Sequence, residues 1–101
     1  MLKETWYPCP CCGSYTLREQ GAYEICPVCF WEDDPFQSEN ENDPEGANKI
    51  SLSDARKNYR VFGACDAEFV RSVRAARPEE KNQVRPRCGK AFKGLPERYF
   101  K

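Results

Sequence analysis

The chain contains no histidine at all. That absence rules out mixed cysteine/histidine metal sites and leaves no imidazole for proton transfer at neutral pH. No glycine-rich phosphate loop is present, and no apolar run approaches the length of a membrane span. The opening residues, Met1 to Tyr7, hold no apolar stretch resembling a secretory signal, so a reducing, cytoplasmic compartment is the expectation. At 101 residues the chain reads as one domain that buries only about two-thirds of its unfolded surface. A core of that size gives modest stability and calls for reinforcement.

Cysteine supplies it. Seven are present, and Cys9-Pro10-Cys11-Cys12-Gly13 followed by Cys26-Pro27-Val28-Cys29 forms two Cys-x-x-Cys pairs. In such a turn both thiolates point toward one place, and two turns face to face supply a tetrahedral set. Pro10 and Pro27 preset φ for their turns, and Gly13 can take the left-handed conformation that closes the first. Cys9, Cys12, Cys26 and Cys29 are therefore the expected ligands of one structural Zn2+ with no open position. Iron in rubredoxin-like knuckles uses the same turns and stays open as an alternative, as do two disulfides or a redox pair. The odd cysteine count argues against a full disulfide framework, and the duplication argues against a redox motif. Cys11, Cys65 and Cys88 are left over. Metal binding of roughly 10–16 kcal/mol rivals the whole folding free energy of a small domain, which makes the ion a condition of folding.

Charge is balanced overall but not along the chain. Residues 1–50 carry three basic and ten acidic side chains, and residues 51–101 carry thirteen basic and six acidic. The densest acidic run, Glu32 to Gly46, has seven carboxylates, two prolines and no basic residue. It shows no period of 2 or 3.6 and reads as a partly mobile loop, without the pattern of a calcium site. Ahead of it, Tyr15 to Glu19 and Ala22 to Ile25 alternate apolar and polar around Gln20-Gly21. They predict a β-hairpin with Tyr15, Leu17, Tyr23 and Ile25 on one face. Phe30 and Trp31 are expected to shield the thiolates.

A helix is expected over about 51–62, with Ser51 as N-cap, Gly63 as terminator and Leu52, Ala55, Tyr59 and Phe62 as its apolar stripe. A second, over about 66–74, would start at Asp66 and bury Phe69, Val70 and Val73. The predicted fold is α+β: a small zinc-ribbon or rubredoxin-knuckle β-hairpin followed by two short helices. Residues 1–77 would form the zinc-binding domain. Residues 78–101 read as irregular surface and a basic tail carrying Phe92, Leu95, Tyr99 and Phe100.

Several of these pieces occur together in one known pattern. Cys9-Pro10-Cys11-Cys12-Gly13, the run Tyr23 to Asp34, Gly46-Ala47-Asn48, Ser51-Leu52 with Ala55-Arg56, and Asn58-Tyr59 with Phe62-Gly63 resemble the bacterial cysteine-rich CPCC family. The resemblance covers residues 7 to about 77. It implies a small, mostly stand-alone bacterial protein that binds zinc. Some members sit beside secreted bacterial toxins, where small partner proteins are often immunity factors. Glu32, Asp33 and Asp34 belong to the pattern, as caps, as partners of Arg56 or Arg60, or as a recognition patch.

Three functions compete. A stoichiometric protein-binding module, in its most concrete form an immunity protein, would present its acidic strip to the basic cleft of a toxin. Its contact residues would be Trp31, Glu32, Asp33, Asp34, Phe36, Glu39, Glu41, Asp43 and Glu45, with the aromatics as anchors. A nucleic-acid-binding zinc ribbon would instead use Arg71, Arg74, Arg77 and the basic tail, although the acidic half would repel phosphate. An enzyme is not expected, because nothing supplies a nucleophile, an oxyanion donor or an open metal position. The protein-binding reading is the expectation. No membrane contact is expected, and the sequence does not set an oligomeric state.

Overall fold

The computed structural model describes residues 5–81 and the backbone of residues 85–86. Its first unit is a short antiparallel pair, β1 (Thr5–Pro8) and β2 (Tyr15–Leu17), with Tyr7 opposite Leu17 and Pro8 opposite Tyr15. The first knuckle is the connection between them, closed by Cys9 N–H to Ser14 O and Gly13 N–H to Cys9 O, both 2.8 Å. A third short strand, β3 (Arg85–Pro86), lies on the other edge of β1, giving the order β2-β1-β3.

The second knuckle also sits at the tip of a hairpin-like ladder. Tyr23 N–H donates to Asp33 O, Asp33 N–H to Glu24 O and Cys26 N–H to Trp31 O, at 2.9–3.0 Å, and Ile25 bridges Glu32. This corrects the predicted hairpin, because 15–17 and 23–25 pair with other segments and not with each other. Tyr23 has a positive φ of 63°, which turns the chain away. The Arg18 and Glu19 amides that would have continued the pairing donate instead to the Glu24 carboxylate, at 3.1 and 3.0 Å. Of the four residues expected on one apolar face, only Leu17 is buried, while Tyr23 and Ile25 are about half exposed.

The acidic run is folded, not a loose loop. Asp34 caps α1 (Pro35–Glu39) by accepting from Phe36 N–H at 2.8 Å, and Pro35 occupies the first turn where a missing N–H costs nothing. Gln37, fully buried, donates to the carbonyls of Asp43, Asn48 and Ile50 and accepts from Asn48. The chain passes so close at Gly46 that a Cβ there would stand 2.5 Å from Asp34 Oδ2 and 2.8 Å from the Gln37 side chain. A side chain at 46 would break this packing.

Helix α2 (Leu52–Phe62) starts where Ser51 Oγ accepts from Asp54 N–H and ends at Gly63. Leu52 and Ala55 are fully buried, Tyr59 is half-buried, and Phe62 is exposed, so the buried stripe is shorter than expected. Arg56 ties α2 to both neighbours: Nε donates to Pro10 O at 2.9 Å, and the guanidinium pairs with Glu41 at 2.9 Å. In place of a second α-helix, Asp66 caps a 3-10 turn over Ala67–Ser72, on which Val70 is exposed. Residues Pro78–Lys81 form another 3-10 turn, where surface was expected. Its Glu80 is buried and takes a two-pronged ion pair from Arg74 at 2.9 and 2.7 Å, with Arg77 N–H as a third donor.

Among the described residues the core cluster has ten buried members, and five are cysteines: Cys9, Cys11, Cys26, Cys29 and Cys65. Leu17, Val28, Trp31, Leu52 and Ala55 complete it. Sulfur sits at the centre of this fold, so whatever bonds to Cys9, Cys12, Cys26 and Cys29 bonds the two knuckles together, with α2 packed against them. Among the described residues no helix is long and apolar enough to cross a membrane.

Candidate metal centre

The two knuckles bring Cys9, Cys12, Cys26 and Cys29 together with all four Sγ atoms within 4.8 Å of one another. Cys9 Sγ stands 3.5 Å from Cys29 Sγ, and Cys12 Sγ 3.7 Å from Cys26 Sγ. Four sulfurs at about 2.3 Å from one tetrahedral ion stand about 3.8 Å apart, so the donor set fits a thiolate-bound metal. The six described cysteines form no disulfide with one another. Cys9, Cys26 and Cys29 are buried and Cys12 is half-buried, so the cluster is closed.

Four thiols this close cannot all ionise without a cation among them. Cys26 is held far below the ordinary thiol range by hydrogen bonds from Cys12, Cys29 and Cys9 and from Thr16, whose hydroxyl donates to its sulfur at 3.1 Å. Val28 N–H also points to Cys26 Sγ, at 3.4 Å. Cys29 is pushed far above that range, first by the neighbouring Cys11 thiol, then by the other three and by burial. Cys9 moves the same way, driven by Cys12 and Cys26. Cys9, Cys12, Cys26 and Cys29 would hold a metal ion as four thiolates, which would relieve this frustration, so binding would release protons and weaken as the pH falls.

The knuckles share one turn geometry but not one sequence. Gly13 follows the first pair at φ 81°, and Phe30 follows the second at φ 73°, its N–H bonded to Cys26 O at 2.7 Å. The left-handed region is free to glycine and costs a side-chain-bearing residue roughly 1–2 kcal/mol. The Phe30 ring packs on Phe69 with centroids 4.5 Å apart. The strain is compensated, at least in part, by that contact.

The residues proposed for partner contact separate into two groups. Trp31, Asp33 and Asp34 are buried, which corrects their assignment to a recognition surface. Asp34 is occupied by Phe36 N–H and by Ala47 N–H at 2.9 Å, and Asp33 by Gly21 N–H at 2.6 Å. Phe36, Glu39, Glu41 and Glu45 are exposed, and Glu32 and Asp43 are half-buried. Glu41 is the carboxylate that meets Arg56, not Glu32, Asp33 or Asp34. Of the basic residues expected to face nucleic acid, Arg74 is committed to Glu80. Cys88 and the aromatic residues of the tail lie outside the described residues.

Cys11 is buried beside the cluster but outside the set of four, as the x-x spacing required. Cys65 is buried too, and desolvation pushes its thiol up to about 12. Its N–H donates to Cys29 O at 2.7 Å, which fastens the segment after α2 to the second knuckle. The model of the family described as cysteine-rich CPCC matches residues 7–80. The chain belongs to the cysteine-rich CPCC family. No curated protein matches it. The CPCC match ends at Glu80, three residues beyond the expected limit, and so includes the buried ion pair. Sequence reasoning missed Gln37, Asn48 and Glu80. Asn48 had a signal, because Gly46-Ala47-Asn48 is part of the CPCC pattern. Its amide clasps Glu32 O and Gln37 Oε1 while its oxygen accepts from Glu32 N–H.

Proposed function

We propose that this CPCC protein is a zinc-stabilised protein-binding module, in its most concrete form an immunity protein that neutralises a bacterial toxin. Zinc is the chosen ion because a closed set of four thiolates suits it and needs no redox chemistry. With the ion in place, each knuckle sits at the tip of its own short ladder, as in a zinc ribbon. The ion cross-links β1, β2 and the Cys26–Cys29 turn and does no chemistry of its own.

The observation that carries the binding reading is the division of the acidic run. Asp33 and Asp34 are consumed in holding it rigid, while Phe36, Glu39 and Glu45 project from the same short segment. A rigid acidic surface with one exposed aromatic ring suits a basic protein cleft, with fast and salt-dependent association. Glu39→Lys with Glu45→Lys tests it against the product of the adjacent gene. Loss of a 1:1 complex, with metal content unchanged, supports this surface. An unaltered complex removes it from the interface.

A further inference from the structure

A second surface lies where the strained Phe30 meets the segment after α2. Ile25, Phe30, Ile50 and Phe69 form the apolar wall of a cleft of about 200 Å³, and Glu32, Asp66 and Glu68 stand around it with Lys49. Ile25 is 49% exposed there, a branched apolar side chain facing solvent beside an aromatic pair. An apolar cavity of about 150 Å³ holds benzene, so this one has room for a phenyl ring. Neither Glu32 nor Glu68 is in an ion pair with another described residue. Three carboxylates against one ammonium leave the rim acidic.

We propose that this cleft binds a short basic peptide segment of a partner protein, seating one aromatic side chain against Phe30 and Phe69 while flanking arginine or lysine residues meet Glu32 and Glu68. Charge complementarity selects the occupant: a neutral apolar side chain would leave the carboxylates unpaired, and an acidic segment would be repelled. Phe30 is held in the left-handed conformation directly after the ligand Cys29, and Cys65 N–H anchors the facing wall to Cys29 O. The cleft is thus built on the metal centre. This inference deepens the protein-binding reading and rests on it, but uses residues other than Phe36, Glu39 and Glu45.

The test is a titration of the metal-loaded full chain with a capped arginine–phenylalanine–lysine tripeptide, followed by NMR shifts and calorimetry at low salt. The expected result is saturable binding with shifts at Ile25, Phe30 and Phe69, and no binding of a glutamate–phenylalanine–glutamate control. Glu32→Gln with Glu68→Gln is expected to weaken binding about tenfold. Ala47→Phe, at an exposed position on the cleft, is expected to block it without disturbing the fold. Equal binding of the basic and acidic peptides, or indifference to both sets of substitutions, overturns the proposal. So does binding that emerges only after Phe92, Tyr99 and Phe100 are changed to Ala, which would make the chain's own C-terminal segment the occupant. Glu39→Lys with Glu45→Lys should leave the tripeptide unaffected, so failure here and failure of the acidic surface are separable.

Discussion

The two knuckles perform the same task with different residues. Each closes with an N–H to the carbonyl of its first cysteine, and each needs a left-handed residue after its second. The first uses Gly13, at no steric cost, with nothing within 4 Å of where a Cβ would be. The second uses Phe30 and tolerates the strain. Zinc holding alone would be served equally well by glycine at both places. The second knuckle thus has a side chain that closing its turn does not need, and the aromatic pair with Phe69 is what that side chain builds.

The heaviest way to break the pair is to remove a ligand from either side. Cys12→Ser and Cys26→Ser should each abolish stable folding, since metal binding of roughly 10–16 kcal/mol exceeds what so small a core retains. Loss of the near-UV circular dichroism signal would show it. Next in size is the anchor behind the second knuckle, where Arg74 N–H also donates to Pro27 O at 3.2 Å. Glu80→Ala leaves a partly buried guanidinium without its carboxylate, and should cost about 2–4 kcal/mol in urea denaturation.

Phe30 is where the two knuckles differ in backbone strain. Phe30→Ala keeps the left-handed strain and loses the ring, whereas Phe30→Gly loses both. Phe30→Gly should therefore be the more stable variant by about 1 kcal/mol, a reversal of the usual penalty for glycine. Equal stabilities would mean that the backbone there is relaxed.

The smallest effect expected is in pH dependence. Burial raises the Asp33 carboxyl above its ordinary range, with Glu24 and Asp34 adding to the rise and the Gly21 N–H opposing it. A raised carboxyl means that the folded state binds the proton more readily than the unfolded chain. Its charged form costs stability at neutral pH, and that cost is relieved as the pH falls through the folded pKa. Asp33→Asn keeps an acceptor for Gly21 N–H, so it should stabilise the protein slightly at pH 7. Its advantage over the unsubstituted chain should shrink on acidification, measured as a difference so that metal loss common to both cancels.

What could be read from the sequence was local. The ligand spacing, the Ser51 cap and the burial of Leu52 and Ala55 follow from rules that span a few residues, and they hold in the structure. Strand partners did not follow, because Tyr15–Leu17 alternates equally well against Thr5–Pro8 and against 22–25. Only the positive φ at Tyr23 and the Glu24 carboxylate decide between them. Buried carboxylates were legible only in part for a related reason. A capping role was among the readings of 32–34, and Asp34 does cap α1, but nothing in composition announces that the Gly21 amide and Arg74 take up Asp33 and Glu80. The helix expected from Asp66 keeps its cap but winds as a 3-10 turn, which exposes Val70.

Native mass spectrometry of freshly purified protein measures directly whether one ion joins the knuckles. The account predicts one zinc per chain, lost together with the folded charge-state distribution when Cys26 is changed to Ser. A metal-free chain that keeps its folded distribution would contradict it.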